Sequence, residues 1–120
     1  MKIHNVMTIA DSAVSVNADR AATAILHDSD DARVVVFRID PGQVVPLHSS
    51  DSSVMLAVVQ GPGFISGPVN GAVKETAVGT GAIITYEPGE LHGMRAGTGP
   101  LVVVATIAPR PGVARGAQVA

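Results

Sequence analysis

Apolar residues in this chain come in short runs, rich in Val, Ile, Leu and Ala and interrupted by Gly, Pro, Asp or Ser. Runs of that length bounded by breakers read as strands rather than helices. The pattern predicts eight: Arg33–Asp40, Val44–His48, Ser53–Gln60, Phe64–Ser66, Ala72–Val78, Ala82–Tyr86, His92–Arg95 and Leu101–Ala108. Turn signals separate them, among them Asp40-Pro41-Gly42, Gly61-Pro62-Gly63 and Pro88-Gly89. The strongest is Asn70-Gly71, because both residue types tolerate the positive φ of a tight hairpin turn.

Ser12–Ile25 is ambiguous: its Ala content allows a helical turn, while Val14, Val16 and Thr23 favour strand equally. His27–Asp31 reads as a solvated acidic turn, since its spacing is not that of a calcium-binding EF-hand. Many short strands with frequent turns, and no alternation with long helices, indicate an all-β sandwich or barrel. No repeat or long linker divides the sequence, so residues 1–120 read as one domain with its strands over 33–108. Pro109–Ala120, built of Pro, Gly and small residues, reads as a loosely ordered tail.

Composition narrows the function. Hydrophobic residues make up 47% and charged residues 15%, so the chain is apolar enough to fold. Aromatics are 2%, and Phe37, Phe64 and Tyr86 are too few for a base-stacking platform. The net charge is −2 with no cluster of Lys or Arg, which argues against nucleic acid or an anionic membrane as partner. Without Cys there is no disulfide, thiol nucleophile or zinc finger. Met1–Met7 lacks the apolar core of a secretory signal, and Leu101–Ala108 falls far short of the ~20 residues that span a bilayer. A soluble, cytoplasmic protein is the expectation.

Two stretches carry recognisable spacing. Gly42 is followed by five residues and His48, and the stretch closes at Gly61; further on, Gly81, Gly89 and His92 recur at fixed intervals. The chain resembles the cupin family, whose first motif is G-x5-H-x-H-x3-E-x6-G and whose second is G-x5-P-x-G-x-x-H. Pro88 is displaced by one place, with Glu87 where the family has proline. The resemblance implies a jelly-roll barrel, a double-stranded β-helix, in which residues i, i+2 and i+6 of one strand converge with a residue of a neighbour. In the family these are usually three His and one Glu holding iron, manganese, nickel, zinc or copper. Here the four positions are His48, Ser50, Val54 and His92. Val cannot coordinate, Ser is a poor ligand, and Asp51 and Ser53 fall on the opposite face.

The residues leave several readings open. In the first, His48 and His92 are pocket histidines, bonded to each other, to Ser50 or to water. They act as general acid and base on a small organic ligand, in isomerisation, cyclisation or epimerisation. Ser50, Val54, Leu56 and Met94 line the ligand's pocket. In the second, His48 and His92 hold a divalent transition metal in a dioxygenase- or isomerase-like enzyme, with a further donor from Glu87, Gln60, His27 or His4. In the third, the chain is a non-catalytic module that forms a homodimer, which the resemblance implies often proceeds through an exchanged N-terminal strand, here Met1–Ile9. Arg38 and Arg95 are candidate contacts for an anionic substrate, with outward, solvated positions as the alternative.

Overall fold

The computed structural model of the chain describes residues 1–112. It contains helix α1 (Val6–Ser12) and nine strands: β1 (Ala22–Asp28), β2 (Arg33–Ile39), β3 (Val44–His48), β4 (Ser53–Gln60), β5 (Gly63–Val69), β6 (Ala72–Val78), β7 (Ile83–Tyr86), β8 (His92–Ala96) and β9 (Leu101–Ala108). Two antiparallel sheets face each other, with orders β1-β2-β9-β4-β7 and β3-β8-β5-β6. This is the jelly-roll barrel that the strand pattern and the motif resemblance anticipate.

Every expected strand is present. The largest change is at Phe64–Ser66, which lengthens in both directions into β5. Its extension pairs in register with β6 up to the turn at Asn70 and Gly71, both in the left-handed region. The ambiguous N-terminal stretch resolves partly into β1, which pairs with β2 from Ala22↔Arg38 to Asp28↔Arg33. The acidic segment therefore begins as strand: His27 and Asp28 close β1, and only the residues after them form the turn.

Helix α1 was not legible as such. Asn5 caps it, its side-chain oxygen accepting from the Thr8 backbone N–H at 3.0 Å. Val6, Met7, Ile9 and Ala10 then pack on the outer face of the five-stranded sheet, against Val36, Val102, Leu26, Val59 and Val104. The Arg38 guanidinium donates to the carbonyl of Ala10 near the helix end. Residues 6–12 are thus a helix docked on their own sheet, not the strand expected over Met1–Ile9.

That cover explains β9. Along it Leu101, Val103 and Ala105 face the inter-sheet core, while Val102 and Val104 lie under α1. A central strand buried on both faces reads as a continuous apolar run. The core between the sheets is built from Ile39, Val54, Leu56, Val58, Ile65, Tyr86, Met94, Leu101 and Val103.

The expected loose tail is held down at its start. Pro109 O accepts from Ser52 Oγ at 2.6 Å, and Arg110 lies 3.3 Å from an Asp30 carboxylate oxygen and 3.8 Å from one of Asp28. The remainder, residues 113–120, lies outside the described residues. Among the described residues no helix is long and apolar enough to cross a membrane.

Candidate functional site

The site forms where β3 runs beside β8. Val45 pairs with Met94, and the next pair is His48 with His92, so three steps on β3 match two on β8. The extra residue is a β-bulge at Pro46-Leu47, opposite Gly93. Strict alternation from the inward-facing Val45 would turn His48 outward, and the inserted residue turns it back in. Two sequence features permit this. Pro46 has no N–H to lose from a ladder, so a bulge on an outer strand suits it. Gly93 lets the displaced backbone approach: a Cβ there would meet Val45 O at 3.0 Å and Leu47 N at 3.3 Å.

The two imidazoles meet edge to face, with centroids 4.1 Å apart and planes at 63°. His48 Nδ1 donates to Pro46 O at 2.8 Å, and His92 Nδ1 donates to Glu90 O at 3.1 Å. A carbonyl only accepts, so in each neutral ring the proton sits on Nδ1 and Nε2 keeps its lone pair. No described residue hydrogen-bonds either Nε2. This corrects the expectation of a bond to Ser50: its Oγ accepts from the Ser52 N–H at 3.1 Å instead.

The rings line a cavity of about 230 Å³ whose walls are Val54, Leu56, Met94, Phe37, Val45, Ala105 and Ile107, with Ser50 and Pro111 beside His48 and His92. All six residues singled out from the sequence, His48, Ser50, Val54, Leu56, His92 and Met94, therefore come together. Pro111 lines one side, directly after Pro109 and Arg110, which are held by Ser52 and by Asp28 and Asp30. Tyr86, not singled out, packs on His92 at 5.0 Å between centroids and donates its hydroxyl to Ser66 O at 2.7 Å. Burial, with the Glu90 carboxylate nearby, pushes that phenol up to about 12, so it remains protonated and fixed. Tyr86 sits close against Gly67, where a Cβ would come within 2.7 Å of the ring. Its only sequence signal was a lone ring five residues after Gly81.

Other expected contributors are elsewhere. Arg95 makes two bonds to Glu75, at 2.7 and 2.6 Å, and stacks 3.9 Å over the Phe64 ring on the outer face. Arg38 is 3.5 Å from Asp40 and is committed to the helix end. Neither meets the cavity. Glu87, Gln60, His27 and His4 do not line it either, and His27 Nε2 is 3.0 Å from Ser29 Oγ. Asp51 is exposed in the β3–β4 loop.

The donor set does not fit the family's metal. Tightly held transition ions take three or four protein ligands. The four positions supply two imidazoles, a hydroxyl and an isopropyl group. Among the described residues no three His, Cys, Asp or Glu converge.

His92 is 9% exposed, and burial holds its pKa below the ordinary imidazole value. The Glu90 carbonyl opposes that shift, and the neighbouring His48 adds to it. A folded-state pKa below the unfolded one makes the unfolded chain bind more protons in the window between them. The contribution to stability is complete above about pH 6.5, the unfolded value. It declines as the pH falls toward the lowered folded value. NMR titration of the His92 Cε1–H should show the midpoint below that of a free imidazole. In His48→Gln it should rise only part of the way, because burial is the larger cause. A full return to the ordinary value would contradict this ordering.

No family model matches the sequence. No curated protein matches it either. Solved structures do. A double-stranded β-helix protein of uncharacterised function from Klebsiella pneumoniae is 25% identical, covers 91% of this chain and 90% of its own, and superposes with a TM-score of 0.74. The TT1209 protein of Thermus thermophilus is 19% identical over 92% of this chain and 100% of its own, with a TM-score of 0.78, a likeness of fold. An RmlC-like cupin from Desulfovibrio desulfuricans is 30% identical over 92% of this chain and 98% of its own, with a TM-score of 0.73. With that identity over nearly the whole of both chains, and the two motif histidines paired inside the barrel, this chain belongs to the cupin superfamily.

Proposed function

We propose that the chain binds a small, partly apolar organic molecule in the His48–His92 cavity and moves a proton on it. The observation that carries this is the pair of imidazoles whose Nδ1 atoms are held by backbone carbonyls, leaving both Nε2 lone pairs unclaimed by any described residue beside apolar walls. A base needs an accessible lone pair near neutral pH, and burial keeps His92 in that form. His92 removes a proton from a carbon next to a carbonyl. The same Nε2, now protonated, returns it to a neighbouring position or to the opposite face of the original carbon. The net reaction is an isomerisation or epimerisation, balanced without an oxidant. A metal-dependent reaction is not favoured, because Ser50 and Val54 stand where the family's other two ligands would be.

The test is proton exchange in heavy water. Small carbonyl compounds that fit about 230 Å³ are incubated with the protein, and loss of the α-proton signal is followed by NMR alongside the His92 Cε1–H. The expected result is a compound that shifts the His92 signal and exchanges faster than in buffer. Exchange at the buffer rate for every compound that shifts His92 would sink the catalytic reading. A panel in which nothing shifts His92 would sink the binding reading too.

A further inference from the structure

A second cavity, of about 440 Å³, adjoins the first and shares with it the side chains of Phe37 and Val45. Its remaining walls are largely apolar, with Val16, Ala21, Val44 and Pro46, and its polar members are Asn17, Thr23 and Arg20. Among the described residues no carboxylate lines it. Arg20 is unlike the other described arginines. Arg33 pairs with Asp28, Arg38 with Asp40, Arg95 with Glu75, and Arg110 with Asp28 and Asp30. The Arg20 guanidinium has no ion pair or hydrogen bond among the described residues, although Asp19 precedes it. Its backbone is fixed: Arg20 bridges to Val44, its N–H donates to Asn17 O at 3.3 Å, and its carbonyl accepts from Ser15 Oγ at 2.6 Å.

We infer that Arg20 binds the carboxylate of a ligand whose apolar body passes Phe37 and Val45 to reach the His pair, so that the substrate class is a small amphipathic carboxylate. The inference rests on the reading above of the His pair as a ligand-facing site. An unpaired guanidinium beside apolar walls presents a planar, permanently charged fork that matches a carboxylate in two hydrogen bonds. Walls of low dielectric without a competing acid focus that charge into the cavity. The bridge to Val44 places Arg20 four residues along β3 from His48, a span of roughly 13 Å at full extension. The bulge shortens that span, and the cavity that Arg20 lines shares two walls with the His pocket.

The experiment uses 4-phenylbutyrate and its uncharged primary amide as matched probes, followed by NMR at the Arg20 Nε–H and the His92 Cε1–H. The acid should bind the wild-type chain about tenfold or more tightly than the amide, the range of a charge-assisted hydrogen bond, and it should move both signals. In Arg20→Gln the two probes should bind alike. Arg20→Lys, which keeps the charge but loses the fork, should retain part of the preference. Since Arg20 is exposed, both variants should fold as the wild type does. Equal affinities in the wild type, or a preference that survives Arg20→Gln, would overturn the assignment while leaving the His pocket a binding site. An acid that moves Arg20 but not His92 would overturn the shared ligand. Failure of both probes to bind would overturn it as well.

Discussion

Replacing His92 by glutamine is expected to slow α-proton exchange of a bound ligand by a factor of about 10²–10⁴, the usual worth of a general acid–base group. Glutamine approximates the reach of the imidazole, and its amide can still donate to the Glu90 carbonyl, but it offers no basic lone pair. His92 is assigned the base role because it is enclosed among the cavity walls and burial keeps it neutral, whereas His48 stands at the exposed rim. His48→Gln should therefore cost less. Denaturant midpoints measured on both variants separate a chemical defect from a folding defect. An exchange rate left unchanged by His92→Gln, in a chain that still binds the ligand, would remove His92 from the chemistry.

Gly93→Val should separate the histidines without touching either of them. The Cβ it adds would meet Val45 O at 3.0 Å and Leu47 N at 3.3 Å, so these backbone atoms of β3 must give way, and the two γ-methyls need further space. Since Gly93 sits between two core-facing residues, β8 cannot shift freely, and the strain falls on the bulge. The expected stability loss is about 1–3 kcal/mol, typical of overpacking. The larger consequence is a register slip that turns His48 away. The NOE contacts between the two rings should disappear, and the His92 pKa should rise by the part that His48 contributes. If the rings stay in contact in the valine variant, Gly93 is not what admits the bulge.

Much of the barrel was legible because both of its signals are local. Strand runs such as Ser53–Gln60 and Leu101–Ala108 announce themselves by composition and by the turns around them. His48 and His92 were legible as a pair only through motif spacing, since nothing along the chain says that residues 44 apart will touch. The alternation argument that placed His48, Ser50 and Val54 on one face reached the right cavity by the wrong route. The chain leaves β3 after His48 and passes through a loop before β4, and a bulge rather than simple alternation aims His48 inward. Pro46 was the available sign of that irregularity. Helix α1 was missed because a helix of about two turns gains most of its stability from the sheet it covers. Arg20 was passed over for Arg38 and Arg95, which lie in strands. A strand position says nothing about whether an acid stands opposite.

The bulged strand also sets how long the site endures. β3 is the outer strand of its sheet, nearly all its residues are exposed, and among the described residues its open side is bridged only at Val44, the end away from His48. Segments of this kind open by local fluctuation far below the energy of global unfolding. Amide hydrogens of Leu47 and His48 should exchange long before those of Val102 and Val103, and mild denaturant should abolish ligand binding while the central strands remain intact. One histidine stands on an inner strand paired on both sides and its companion on the edge strand beside it, so the pocket can come apart with the barrel still standing.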